Sequence, residues 1–376
     1  MGLHIQVVAA VAPFLMADLG LGYGEIGTLI GVFLLPGVVL AIPGGLVSRR
    51  FGDARTLTGG IVLLAGGTAL LAVSDGFWSA LAARLLSGAG GTLLTMQVAK
   101  IATDWFAGRE LSTALGLMMG TFPLGIAAVM AGLPVIAAAS SWRVAVAVIV
   151  GAALVILLVV AAVLRDPPVT AAPVSGRRWA FPRHEALLMV VSGLIFSVVN
   201  AGLVIFTSFA PAWLRASGLD AVQAGVLASW TSWVMILALP LSGPLLDRTG
   251  RVHGWLVGGA LAAAVACVML PLSGLLGGPV FPWLVLFGLL MGPLAVGSMA
   301  LPGAALRPEH RAIGFGLFFT MNYVGFGLLP AAAGILIDIT QSAAAPFWFD
   351  AAAFLSIVPL ALLFQRLQHR AAPRTS

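Results

Sequence analysis

Twelve long apolar runs, separated by short charged or turn-rich segments, leave this chain few folds to choose from. A helix that crosses the hydrocarbon core needs about 20 apolar residues, and only helices or closed barrels satisfy their backbone groups there. The runs fall near 2–18, 25–48, 55–73, 78–101, 110–136 and 142–164, then 186–214, 221–246, 254–273, 281–305, 312–337 and 346–364. The stretch RDPPVTAAPVSGRRWAFPRH, from Arg165 to His184, is the one long polar connection. The expected class is therefore an all-α integral membrane protein of twelve transmembrane helices in two pseudo-symmetric six-helix bundles. The expected units are 1–164, a central loop at 165–184, a second bundle at 185–364 and a tail at 365–376. Composition agrees: 60% of residues are hydrophobic and 9% charged, against about 25% charged in soluble domains.

The positive charges set an orientation. Alternate loops hold Arg49, Arg50 and Arg55, then Lys100 and Arg109, then Arg165, Arg177, Arg178 and Arg183. Further on come Arg248 and Arg251, Arg307 and Arg311, then Arg366, Arg370 and Arg374. That places sixteen of the nineteen Lys and Arg residues on one side, with only Arg143 and Arg215 opposite. The bias predicts that both termini are cytoplasmic. The net charge of +6 then belongs to loops facing an anionic membrane surface rather than a nucleic acid.

The chain also repeats. Shifted by 198 residues, Pro13 falls on Pro211, Gly20 on Gly218, Leu21 on Leu219, Gly27 on Gly225 and Leu29 on Leu227. Gly45, Arg50 and Gly52 fall on Gly243, Arg248 and Gly250, all in one ungapped register. An offset of 200 pairs Gly116 with Gly316 and Gly125 with Gly325. Halves repeated about an axis along the membrane normal are a common plan for transporters. Two loops in the repeat, GLVSRRFGD after helix 2 and GPLLDRTGR after helix 8, share Gly, Arg and Gly but differ in sign at Arg49 and Asp247.

With these motifs the chain resembles the major facilitator superfamily over its whole length. GPLLDRTGR fits the family loop pattern closely, and GLVSRRFGD is a degraded copy. The run AVAPFLMADLG through EIGTLIGVFLLPGVVLAIPGGL resembles the cyanate-permease and nitroimidazole-transporter branch. The resemblance implies that helices 1, 4, 7 and 10 line a central path, with 2, 5, 8 and 11 beside them. Helix 7 starts near Glu185, so the repeat places the start of helix 1 about a dozen residues before Met1. Helix 1 as given is also short for a core of about 30 Å. The expectation is a start upstream of Met1, or a lost first turn.

Arg84 in helix 4 is the leading site residue. A charge within a span costs about 2.5 kcal/mol or more and faces a cavity or a partner. It reads as an anion-binding or coupling site, against a simpler reading of an Arg snorkelling outward or bonded to carbonyls. Gly88, Gly90 and Gly91 after it suit close helix packing. His4 and Gln6 on helix 1, Gln97 on helix 4, Asn200 on helix 7, and Asn322 and Tyr323 on helix 11 are the other polar candidates for substrate binding. For Asn200, Asn322 and Tyr323 the alternative is an interhelical hydrogen bond, and for His4 an interfacial His at a chain terminus. Trp230 and Trp233 on helix 8, with Phe206 and Phe319, are candidates to wall a pocket, with packing as the default. No Asp or Glu falls at mid-span: Glu25, Asp338 and Asp350 lie near outer helix ends and Glu110 near an inner one. A buried cation without an acid points to an anionic substrate.

The loop residues form a second set, expected to gate the inner side: Gly45, Arg49, Arg50, Gly52, Asp104 and Glu110, with Gly243, Asp247, Arg248, Gly250 and Arg251. Asp247 is expected to face the start of helix 5, Arg248 and Arg251 to meet partners such as Glu110, and Arg49 to pair with Asp104 or Glu309. No enzyme signature, cofactor motif or metal-ligand spacing occurs. The expected protein is thus a monomeric secondary carrier of a bacterial cytoplasmic (inner) membrane. It would move a small anion, with proton or counter-ion coupling open. The alternatives are an exporter of amphipathic drugs, a channel or a membrane sensor.

Overall fold

The computed structural model describes residues 1–40, 51–106, 111–164, 181–307 and 310–371. Thirteen helices occur among them: α1 (Gly2–Leu19), α2 (Tyr23–Val32), α3 (Pro36–Leu40), α4 (Asp53–Ala72), α5 (Phe77–Phe106), α6 (Leu111–Ala139), α7 (Trp142–Val163), α8 (Arg183–Ala216), α9 (Ala221–Thr249), α10 (Val252–Leu275), α11 (Phe281–Ala305), α12 (Arg311–Thr340) and α13 (Ala345–Ala371). Eleven spans among the described residues are long and apolar enough to cross a membrane, with α2 and α3 together making one of them. The twelfth crossing is α5, whose apolar character is diluted by Arg84 and by a run of Ser, Gly and Thr. The twelve-span, two-bundle expectation holds.

Two boundaries differ from expectation. The second span is not continuous: α2 stops at Val32 and α3 starts at Pro36. Pro36 has no N–H to give, so the chain tightens into shorter-range bonds. Leu34 N–H donates to Gly31 O, Leu35 to Val32 O, and Gly37 to Leu34 O. The final helix runs past residue 364 to Ala371, because QRLQHRA is helix-forming and leaves the core as it goes.

The repeat has a geometric cause. Gly20, Gly218, Gly52 and Gly250 all have positive φ, at 66°, 101°, 87° and 60°. Each lies at a helix end, where the left-handed region favours glycine. Gly27 and Gly225 serve a different purpose. A Cβ on Gly27 of α2 would strike the Pro330 carbonyl of α12, and one on Gly225 of α9 would lie 2.6 Å from the Met130 carbonyl of α6. These are the two seams between the halves, α2 on α12 and α6 on α9. The contacts repeat as the sequence does: Gly27 and Gly225 are 198 residues apart, and Met130 and Pro330 are 200.

Candidate functional site: a clamp, a seam and a polar cluster between the halves

The first seam is built from small residues. Gly24, Gly27 and Gly31 on α2 face Gly327, Pro330, Ala331 and Gly334 on α12. A Cβ on Gly31 would overlap the Gly327 carbonyl, and one on Gly334 the Tyr23 carbonyl. Backbones approach this closely only where side chains are missing. At the arginine-poor end the seam carries a charge. The Asp338 carboxylate of α12 accepts the N–H of Tyr23 at 3.0 Å and of Gly24 at 2.7 Å. These are free donors in the first turn of α2, whose N-cap, Gly22, has no side-chain oxygen. An acid from the other half thus caps this helix. The repeat partner, α9, is capped by its own Asp220, which accepts the Gln223 N–H at 2.8 Å.

Gln6 provides the second link. Its side chain is fully buried. Its Nε2 donates to Thr207 Oγ1 at 2.6 Å, and its Oε1 accepts from Ser208 Oγ at 2.9 Å. One amide therefore joins α1 to α8 through both of its ends. At the arginine-poor end, Gln6 and Asp338 thus join the two halves by side-chain hydrogen bonds. Above the clamp, Ala9, Pro13, Met16, Tyr23, Ser208 and Ala212 are among the residues lining a small cavity.

Asn200 and Asn322 come together, and Tyr323 follows Asn322 on α12. Asn200 Nδ2 donates to Asn322 Oδ1 at 3.2 Å and to Phe196 O at 2.8 Å, while Ser197 Oγ donates to Asn322 O at 3.3 Å. The Tyr323 ring lies against Gly37 of α3, where an added Cβ would be 2.8 Å from it. Its hydroxyl makes no hydrogen bond among the described residues. Phe319 and Phe196 extend this surface, with Phe319 6.5 Å from Tyr323 and 6.4 Å from Phe196 between ring centres. On α8, Asn200 and Thr207 are two turns apart and share a face. The polar cluster and the Gln6 clamp therefore lie on one helix surface.

Arg84 is 1% exposed, and its guanidinium is engaged on every nitrogen. Nε donates to Leu29 O at 2.8 Å, one terminal nitrogen to His4 O at 2.6 Å, and the other to Ile5 O at 3.2 Å. Its charge lies 4.4 Å from the centre of the Phe33 ring. The Leu29 carbonyl is free because the Phe33 N–H turns to Gly31 O where α2 ends. Arg84 thus places a cation at the C-terminal end of a broken helix, where it is favoured. Gly88 and Gly91 admit the break: a Cβ on Gly88 would overlap the Phe33 carbonyl, and one on Gly91 would be 2.9 Å from its ring. Gly90 instead packs against α4, where its Cβ would reach Leu64 and Gly60.

The remaining candidates scatter. His4 is buried on the other side of α1 from the clamp, and its Nδ1 pairs with Thr68 Oγ1 at 2.9 Å. Gln97 is buried, and its Oε1 has no hydrogen-bond partner among the described residues. Trp230 and Trp233 are exposed, and Trp230 meets Phe281 edge-on at 5.6 Å. Phe206 does not wall a pocket. It is buried and stacked 3.8 Å from Phe287 inside the second half.

Of the loop set, Gly45, Arg49, Arg50, Glu110 and Glu309 lie outside the described residues, as does the side chain of Asp104. Asp247, Arg248 and Arg251 are exposed and have no partner among the described residues. In the first half, Asp53 occupies the repeat position of Arg251 and pairs with Lys100 at 2.6 Å.

Sequence reasoning missed Asp338 as a cap and Thr207 and Ser208 as clamp partners. Asp350 lies near the outer end of α13, as expected, but it is fully buried, which its position did not reveal. The reason is the face on which it falls: α13 turns this residue inward between the buried rings of Phe347 and Phe354.

Twelve crossings in two repeated halves, joined at the arginine-poor end by Gln6 and Asp338, define a membrane protein of the two-bundle class. The sequence pattern of the Major Facilitator Superfamily matches residues 1–227 and again 194–376, and the chain belongs to that superfamily of membrane transporters. It is similar to the hexuronate transporter of Bacillus subtilis, at 29% identity over 37% of this chain and 33% of that protein. The chain thus spans about a third of that relative's length. It is also similar to the lysosomal dipeptide transporter MFSD1 of Danio rerio, at 24% identity over 95% of this chain and 82% of that one. Among solved structures, the nucleoside transporter NupG superposes with a TM-score of 0.72 at 14% identity, covering 97% of this chain and 96% of that one.

Proposed function

We propose that this transporter is a secondary carrier that moves a small polar organic solute across a bacterial cytoplasmic membrane by alternating access. The arginine-rich end is taken as cytoplasmic, which makes the Gln6 and Asp338 contacts a closure of the outer side. The proposed halves are residues 1–164 and 185–364. The carrying observation is the neutral Asn200–Asn322 pair, with Tyr323 next to Asn322, and with Asn200 on the same face of α8 as the clamp partner Thr207. Solute bound there would touch the groups whose bonds hold the halves together. Amide and hydroxyl groups recognise hydroxyls, amides and carboxylates without needing a formal charge. The relatives named above carry solutes of this polar, organic kind.

A second reading, a small anion, is favoured by one observation: Arg84 has no carboxylate beside it among the described residues. It requires Arg84 to exchange its carbonyls for solute in another conformation. The finer resemblance to the cyanate-permease branch belongs to this second reading. The test is a thermal-shift screen of the purified protein against sugars, sugar acids, nucleosides, dipeptides and inorganic anions. Tyr323→Phe should weaken any stabilising solute about three- to tenfold while leaving the ligand-free melting temperature unchanged. Equal binding by wild type and variant would remove the cluster from the site.

The exposed loop around Asp247 is proposed as the gate of the opposite state, closed at the arginine-rich end. Asp247→Asn should then keep that end open more of the time than Arg49→Ala does, read as cysteine accessibility. Equal shifts would contradict this.

A further inference from the structure

Asp350 is the most unusual polar group in the molecule. It is fully buried on α13. One carboxyl oxygen, Oδ2, takes the S–H of Cys267 on α10 at 3.6 Å. The other, Oδ1, is buried without a hydrogen-bond partner. A Cβ built on Gly202 of α8 would lie 2.9 Å from that oxygen and 2.6 Å from the Phe354 ring, so α8 presses directly on the carboxyl. The wall around it is aromatic. Phe347 and Phe354 flank it on α13, and both join Phe206 and Phe287 in one cluster.

No element packed against this carboxyl brings it a compensating charge. On α8, the charged and titratable residues are Arg183, His184 and Glu185 at one end and Arg215 at the other. Arg215 is thirteen residues, or about 20 Å along the helix, from Gly202. On α10, Cys267 touches the carboxyl, and His253 is more than half the helix away, beside Phe364 at 5.9 Å. On α11 no residue is charged. On α12, Arg311 begins the helix, Asp338 is spent on α2 and Tyr323 faces Gly37. On α13 itself, Arg366, His369 and Arg370 begin about 24 Å further along. No cation pairs with Asp350 among the described residues.

A carboxylate with no cation and one unfilled oxygen cannot be held in such a wall. The group carries its proton there, or the packing around it changes to admit water. One carboxyl and one thiol are also too few ligands for a metal ion, which demands several oxygens. The ligand this site fits is a proton. Its location gives the proton a lever. Gly202 is two residues from Asn200 and five from Thr207, so the carboxyl backs onto the helix that carries both the polar cluster and the clamp.

We propose that Asp350 is a proton-binding site whose occupancy stabilises the closed arginine-poor end through α8. The coupling rests on the carrier reading above. The neutral acid belongs to the packing seen here. The ionised form belongs to a packing in which α8, α10 and α13 part, which loosens the Gln6 clamp. The proton is simply gained or lost at the carboxyl oxygen, with no other bond made or broken.

The test uses the full chain in lipid vesicles, with Ala212→Cys as a reporter in the small cavity above the clamp. Cys267 is buried and stays as it is. The readout is the labelling rate by a membrane-impermeant maleimide across a pH series, corrected for the intrinsic thiolate fraction. Labelling should rise by up to about tenfold per pH unit where one proton leaves. In Asp350→Asn it should be slow and flat. An Asp350→Asn curve that follows the parent overturns the proposal. A flat parent curve overturns it too, while leaving the carrier reading to its own test. Should Asp350→Asn not fold, Cys267→Val replaces it. Loss of the S–H should shift the neutral-carboxyl stretching band in the infrared spectrum at neutral pH, and an absent or unshifted band would refute the site.

Discussion

Gly31→Leu should hold the transporter open at its arginine-poor end. The new Cβ would overlap the Gly327 carbonyl, and neither partner is a side chain that can swing away. Overpacking of this kind costs about 1–3 kcal/mol, which is roughly 5–150-fold in the balance between closed and open. With the Ala212→Cys reporter at fixed pH, labelling should rise by that factor, and solute exchange should fall because the cycle cannot close. Gly132→Leu is the matched control, since nothing lies within 4 Å of its Cβ position. Asp338→Ala belongs to the same series with a smaller effect. It removes a cap from a solvent-exposed helix end, worth about 0.3–1 kcal/mol, so labelling should rise about two- to fivefold. If Gly31→Leu labels no faster than Gly132→Leu, the seam does not close this end.

The second large effect concerns Arg84. Arg84→Met should destabilise the protein by about 3 kcal/mol or more, because three buried carbonyls lose a charged donor and the break in α2 loses its cap. The melting temperature of the ligand-free protein should drop by several degrees, and Arg84→Lys should recover only part of it. A lysine has one nitrogen to place where the guanidinium offers three in a fixed fork. The anion-site reading makes the reverse prediction, a variant that is stable and fails only in binding. Melting curves without solute separate the two. An unchanged melting temperature with lost binding would restore Arg84 to the solute site.

The features legible in the sequence were those written in spacing. Apolar runs gave the crossings, and the 198-residue register gave the halves. The matched glycines had definite reasons to match: Gly20, Gly218, Gly52 and Gly250 need positive φ, and Gly27 and Gly225 need room for a neighbouring backbone. The break at Pro36 was visible in FLLPG, but a proline in a span just as often passes through, as Pro211 does in α8. What could not be read was pairing. The partners of Arg84 are backbone carbonyls, which every residue has and no sequence marks. Thr207 and Ser208 fall opposite Ala9 and Ala10 in the repeat, so the clamp breaks the symmetry that revealed the fold. The burial of Asp350 was not legible because distance from a helix end does not say which face a residue takes. Asp338 was placed near an outer helix end, but its partner there was not legible, because backbone N–H groups carry no sequence mark either.

The central claim is that the two halves open at one end only as they close at the other. Spin-label distances test this directly, with one pair at Asp75 and Gln341 across the arginine-poor end and a second at Arg55 and Arg251 across the arginine-rich end. All four positions are exposed. The account predicts a short distance in the first pair together with a long one in the second. The two populations should exchange in opposite senses when pH, solute or Gly31→Leu shifts the balance. Both pairs long at once, or both unchanged while solute still crosses, would contradict it.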